Sequence, residues 1–298
     1  MSQTQLAATA SATHNRLALI ALLAGGIAIG GSPIFVRLSE IGPMATAFWR
    51  VALALVPLFV FFRATERRHV PGPEGVGDMM ALSLPGVFLA GDLIAWHVSI
   101  HMTTVANATL LTNLAPVFVT VVGWLFLGAS ISRAFLIGLL IAIMGIVVLK
   151  GGLSGLSAGN PAGDGLAIVA ALFYAGYMLA IARLRGRFDT VRVMLWSTLS
   201  AAVCLLPVAL LTESQFFPLT TFGWAMLLGL ALITHAGGQL AITYALAYLP
   251  TAFSSLTLLL QPVVAALLGV AVLGEAVTGT QAIGGMIVLC GILYARRQ

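Results

Sequence analysis

Two stretches decide the reading of this chain: "LAPVFVTVVGWLFLG" at residues 114–128 and "LQPVVAALLGVAVLG" at residues 260–274. "LAPVF" recurs as "LQPVV" and "LGA" as "LGE", and both displacements are 146 residues. The same shift sets Gly30 on Gly176, Gly91 on Gly237, Gly138 on Gly284 and Gly145 on Gly291, and "VRL" ending at Leu38 on "ARL" ending at Leu184. Apolar helices resemble one another by composition, so any one match is weak; a constant offset over several segments marks an internal duplication.

The rest of the chain has the same apolar character. Of 298 residues 60% are hydrophobic and 8% charged, with a mean hydropathy of +1.07, where a soluble domain carries roughly a quarter charged residues. This is the composition of a polytopic membrane protein. Cys204 and Cys290 lie in apolar stretches and imply neither a disulfide framework nor a metal site. The polar tail of residues 1–16 precedes an apolar run too long for a signal-peptide core, so no processing is expected.

About 20 apolar residues span a bilayer as a helix. Ten such segments are expected, at roughly 17–38, 43–63, 79–100, 105–127, 132–150, 163–184, 191–211, 219–245, 251–273 and 279–295. Lipid offers no partner to an unpaired backbone group, and continuous hydropathy is not a barrel's alternation. The even-numbered loops and the two termini then hold Arg16, Arg63, Arg67, Arg68, Arg133, Arg183, Arg185, Arg187, Arg192, Arg296 and Arg297, which is 11 of 14 basic residues. Arg37 and Lys150 fall on the other side. This asymmetry places both termini in the cytoplasm and accounts for the net charge of +5 without nucleic acid.

The expected fold is thus all-α, with a first five-helix repeat over 17–150 and a second over 151–298. Five is odd, so the second copy enters the membrane upside down. Inverted repeats are the design of many secondary transporters, whose site lies near the midplane where the halves meet.

These features resemble a known family. "LGEAVTGTQAIGGMIVLCGILY" (273–294) is similar to the last helix pair of the EamA branch of the drug/metabolite transporter (DMT) superfamily, and residues 114–128 resemble its first-half counterpart. "FWRVALALVPLF" (48–59) resembles the family's second helix, with Arg50 at its usual arginine. The chain is most similar to bacterial amino-acid exporters of the YddG type. That resemblance implies a basket of helices one to four and six to nine around a cavity, with five and ten peripheral. Ala129 stands where the family often has glutamate, and "IGGSPIF" where a tryptophan–glycine pair is common.

Of 23 charged side chains only Arg50 and Asp92 fall deep in expected spans. A charge there costs roughly 2.5 to 3.5 kcal/mol on insertion scales and marks a functional site with a partner to be named. Counted from the outer ends, both lie some 10 to 12 Å down, at about 1.5 Å per residue. An Arg50–Asp92 ion pair between adjacent antiparallel helices is therefore expected. It is either a static pair or part of a cavity in which Asp92 binds a substrate ammonium or exchanges a proton.

Helical spacing sets Asp92, Trp96 and Ser99 on one face of the third span and His97 and His101 on another. Trp96 beside Asp92 makes an apolar wall and a polar anchor, suited to an amino acid. The shift carries this face to Gly238 and Ile242, with His235 and Gln239 on the same side. Asn113 and Gln261 lie near Pro116 and Pro262, symmetry mates expected to bend the fourth and ninth spans. Gly30 and Pro33 break the first span, opposite Tyr174 and Tyr177 of the sixth. Glu275 is expected to cap a helix. "HVSIH" has metal-ligand spacing without an acidic partner, so no metal is assigned.

The function expected is alternating-access export of amino acids and related small metabolites across the bacterial inner membrane, one inverted half rocking against the other. The partners are a small-molecule substrate and the lipid bilayer, with proton coupling possible; the protein is expected to be a monomer without cofactor, not an enzyme. Export of other metabolites or cationic drugs, a passive channel and an intramembrane enzyme are the alternatives. No ATP-binding G-x-x-x-x-G-K-[ST] loop is present.

Overall fold

The computed structural model describes residues 3–65, 72–103, 105–151, 160–274 and 278–296, the side chains of 3–13 and 105–107 excepted. Among these residues the chain is helical and without strands. Eight helices are long and apolar enough to cross a membrane: α1 (His14–Arg37), α2 (Pro43–Thr65), α3 (Val76–Met102), α4 (Ala108–Leu127), α6 (Pro161–Leu184), α7 (Thr190–Thr212), α8 (Thr221–Ala245) and α9 (Thr251–Leu273). Two apolar helices are shorter, α5 (Arg133–Leu149) and α10 (Gly279–Ala295), each of 17 residues. The chain is a multi-pass membrane protein. Glu275, Arg67, Arg68 and Arg297 lie outside the described residues.

The packing obeys a two-fold rule. α3 packs along α6 and α1 along α8; α3 meets α7 and α2 meets α8; α4 meets α6 and α9 meets α1. The pairs α2–α7, α4–α9 and α5–α10 map onto themselves. All of these interfaces join the first copy of the repeat to the second, whereas α2 and α3, neighbours in sequence, touch little. The copies are therefore interlaced.

Glycine explains the α5–α10 pair. A Cβ on Gly138 would lie 2.6 Å from the Gly291 carbonyl oxygen, and one on Gly145 2.6 Å from the Val288 nitrogen. Their repeat mates behave likewise: on Gly284 it would meet the Leu149 nitrogen at 2.2 Å, and on Gly291 the Ala142 nitrogen at 2.6 Å. Small residues let two backbones touch where lipid supplies no hydrophobic drive for association. This pair reaches the bundle through Leu256, Leu259 and Val263 of α9.

Helix breaks follow the repeat only in part. α4 divides into Val105–Thr112 and Ala115–Leu127, and α9 into Thr251–Thr257 and Leu260–Leu273, so Pro116 and Pro262 each sit in the first turn of a new helix. Pro57, Pro85 and Pro207 stay inside continuous helices. α1 breaks at Gly31, between Gln3–Gly30 and Ser32–Arg37, but its mate α6 runs unbroken. α8 contains a π-helical segment, Leu230–Gln239, where α3 is regular.

Both ends of the bundle are tied across the repeat. At the α1–α2 end, Glu40 accepts hydrogen bonds from the Leu219 and Thr220 amides at 3.1 Å and from the Thr220 hydroxyl, while Glu213 accepts from the Met44 amide at 2.8 Å. Each carboxylate thus caps a helix of the other copy, where the helix dipole favours negative charge. The Trp49 indole donates to the Phe216 carbonyl at 2.8 Å, and its ring packs among Phe48, Phe216, Phe217 and Trp224. At the other end Arg187 and Asp78 form an ion pair at 2.6 Å.

Two outcomes follow from this packing. Gly284→Val should destabilise the α5–α10 pair by about 1–3 kcal/mol through overpacking, read as a lower melting temperature in detergent. The hydroxyl of Thr220, with the Thr220 and Leu219 amides, holds the Glu40 carboxyl below its ordinary range. Its tie is therefore complete above that range and lost as pH falls through the lowered value. Hydrogen exchange, corrected for intrinsic rates, should show the Leu219 and Thr220 amides protected in wild type at about pH 7, and equally unprotected in Glu40→Ala at that pH and in wild type at about pH 3.

Candidate functional site

Arg50 follows Trp49 on α2 and points into the bundle, enclosed by protein. Its charge interacts with Asp92 and with Tyr174 and Tyr177 of α6, and is felt by His97 and His235. Arg50 is the electrostatic hub of the midspan region. The expected ion pair is not formed: no contact of 4.0 Å or less joins Arg50 to Asp92. The reason lies in the interlacing. α2 packs on α7 and α8, and α3 on α6 and α7, while α2 and α3 themselves touch little, so the two charges do not meet across a helix contact.

Around this hub, enclosed polar atoms are left without partners among the described residues. They are Arg50 Nε, the Tyr177 hydroxyl, Gln239 Oε1, Gln261 Nε2, Ser254 Oγ of α9 and Ser32 Oγ at the α1 break. Tyr177 is 0% exposed and stacks on Tyr174, with ring centroids 5.9 Å apart. Its hydroxyl faces Gln239 and Thr243 without closing a hydrogen bond to either, and Tyr174 faces Gln261. Each such buried group costs about 1–3 kcal/mol if it stays unpaired. Unpaired groups from α2, α6, α8 and α9 converging beside an enclosed carboxylate on α3 fit a polar ligand or ordered water.

Asp92 and Trp96 are both half-buried on α3. Other expected residues have different tasks. Ser99 is 0% exposed and donates to the Gly163 carbonyl at 2.9 Å, locking α3 to α6. Asn113 Nδ2 donates to the Thr109 carbonyl at 2.7 Å in the broken turn of α4. His235 Nε2 lies 3.0 Å from the Thr198 hydroxyl, joining α8 to α7. His97 is buried, and its Nδ1 donates to the Leu93 carbonyl at 2.6 Å.

Gly238 and Ile242 of α8 pack on α1, where a Cβ on Gly25 would meet the Gly238 oxygen at 2.7 Å and Ile242 at 2.8 Å. Gly91 of α3 packs against Phe173 of α6. Gly238 and Gln239 lie in the π-helical segment, where α3 is regular. Thr243, which sequence reasoning passed over, faces Tyr177.

A separate recess of about 230 Å³ lies at the end near Arg16 and Arg296, lined also by Asn15, Leu19, Leu249 and Phe253, away from the midspan charges.

Apolar helices of membrane-spanning length, packed as two interlaced repeats around a polar midspan, define the class as a polytopic membrane transporter. The model of the EamA-like transporter family matches residues 16–150 and again 161–297, and the chain belongs to this family. An "uncharacterized transporter" of Archaeoglobus fulgidus is 29% identical over 294 residues, covering 95% of this chain and 96% of its own. A probable terminal-alkyne amino-acid exporter of Streptantibioticus cattleyicolor is 28% identical, over 76% of this chain and 78% of its own. The pseudopaline exporter CntI of Pseudomonas aeruginosa is 27% identical over 67% of each chain. A crystal structure with 18% identity superposes with a TM-score of 0.80 over 95% of this chain and 96% of its own, which shows the shared fold.

Tyr177→Phe removes an unpaired hydroxyl from the interior. It should leave the apo protein as stable as wild type or up to about 1 kcal/mol more stable, while binding of transported solute weakens. A fall in melting temperature would mean that the hydroxyl is structurally bonded.

Proposed function

We propose that this protein is a secondary transporter that exports amino acids and related small metabolites across the bacterial cytoplasmic membrane by alternating access. The observation that carries this reading is the midspan cluster of unpaired polar groups around Arg50 and Asp92. A scaffold has no use for these groups, and an intramembrane hydrolase needs a nucleophile, base and oxyanion set that they do not supply. The similarity to two exporters, one of them of an amino acid, supports the direction and class of transport. The basic residues put both termini in the cytoplasm, so α5 and α10 complete a ten-span bundle. Both copies of the repeat lie in one chain, and the transporter works as a monomer without cofactor.

In this reading the moving units are mixed groups, α3, α4 and α6 against α1, α8 and α9, with the paired α2 and α7 as the seam between them. The symmetric breaks at Pro116 and Pro262 and the break between Gly30 and Pro33 are the bending points.

A second reading is proton antiport through Asp92, favoured by the absence, among the described residues, of an ion pair to that enclosed carboxylate. Counterflow in proteoliposomes loaded with a panel of L-amino acids tests both. The expected result is exchange of a subset, lost in Asp92→Asn; exchange of none sinks the amino-acid reading. Net efflux that responds to an imposed pH gradient supports antiport, and indifference to it removes proton coupling.

A further inference from the structure

Arg50 and Asp92 carry opposite charges, both enclosed in the bundle and within electrostatic reach, yet they make no ion pair and share no hydrogen bond. Such a state is unfavourable: a charge at this depth is ordinarily compensated by direct pairing. α2 and α3 touch little, each packing on α7 and on a further neighbour of its own, α8 and α6 respectively. The gap in pairing extends to further groups: among the described residues the Tyr177 hydroxyl, Gln239 Oε1 and Gln261 Nε2 have no hydrogen-bond partner.

We infer that the gap is the seat of a zwitterion: the substrate's carboxylate binds Arg50 and its ammonium binds Asp92, so that the α-amino-acid head group completes an ion pair that the protein leaves open. This rests on the reading of the cluster as the transport site, and it narrows the substrate class. A simple cation in the gap leaves Arg50 uncompensated and is repelled by it; a simple anion has the same fault towards Asp92. A zwitterion adds no net charge and pairs both groups with charge-assisted hydrogen bonds of about 2.8 Å. Gln239 Oε1 and Gln261 Nε2 offer an acceptor and a donor to the same head group. Trp96, one turn from Asp92, flanks the position where the side chain leaves the head group.

The test uses two matched probe sets that differ only in the head group. They are L-phenylalanine with phenethylamine and 3-phenylpropionate, and L-leucine with isopentylamine and 4-methylpentanoate. Binding is measured on the purified full chain in nanodiscs by tryptophan fluorescence. In wild type at least one zwitterion should bind about tenfold or more tighter than its amine and its acid, each of which forfeits one charged contact. Arg50→Gln should erase the preference over the amine only, Arg50→Lys should largely keep it, and Asp92→Asn should erase the preference over the acid only.

An amine or acid that binds wild type as well as its zwitterion overturns the inference and leaves the transporter reading intact. Preferences unchanged in the variants overturn it as well. If neither zwitterion binds while other amino acids exchange in counterflow, the head-group assignment falls; if none exchanges either, the amino-acid reading falls with it. Should Arg50→Gln fail to fold, Arg50→Lys and Asp92→Asn decide the matter.

Discussion

The two copies of the repeat bury their helices against each other rather than each within itself. α3 finds its main partner in α6 and α1 in α8; the self-mated pairs α2–α7, α4–α9 and α5–α10 close the bundle along the pseudo-two-fold axis. Backbone polar groups are satisfied within each helix, as lipid demands, which leaves side chains free to differ between the copies. The unpaired state of Arg50 and Asp92 belongs to that arrangement: α2 and α3, consecutive in sequence, touch little, and the charges they carry form no ion pair.

Much of this was legible in the residues. The constant offset reported the duplication, and the family model matches the chain twice. The glycine mates 138/284 and 145/291 were visible as repeat mates, without showing that they bring α5 and α10 together. The symmetric breaks at Pro116 and Pro262 followed from proline's missing amide. Which helices touch was not legible. Hydropathy is silent on partners, and the assumption that α2 and α3 adjoin in space made an ion pair out of two charges that the bundle holds apart.

Polarity in an apolar span marks Asp92, Tyr177, Gln239 and Gln261 in the sequence. Ser99 and His235 meet the same criterion and form inter-helix ties to Gly163 and Thr198; a buried polar group satisfied by a neighbour looks, in sequence, like one left open.

The two copies are not equivalent in detail. α8 carries a π turn where α3 is regular, and α1 breaks at Gly31 where α6 runs unbroken. In a molecule of perfect two-fold equivalence, two conformations exchanged by that symmetry would be degenerate in energy; these differences lift the degeneracy.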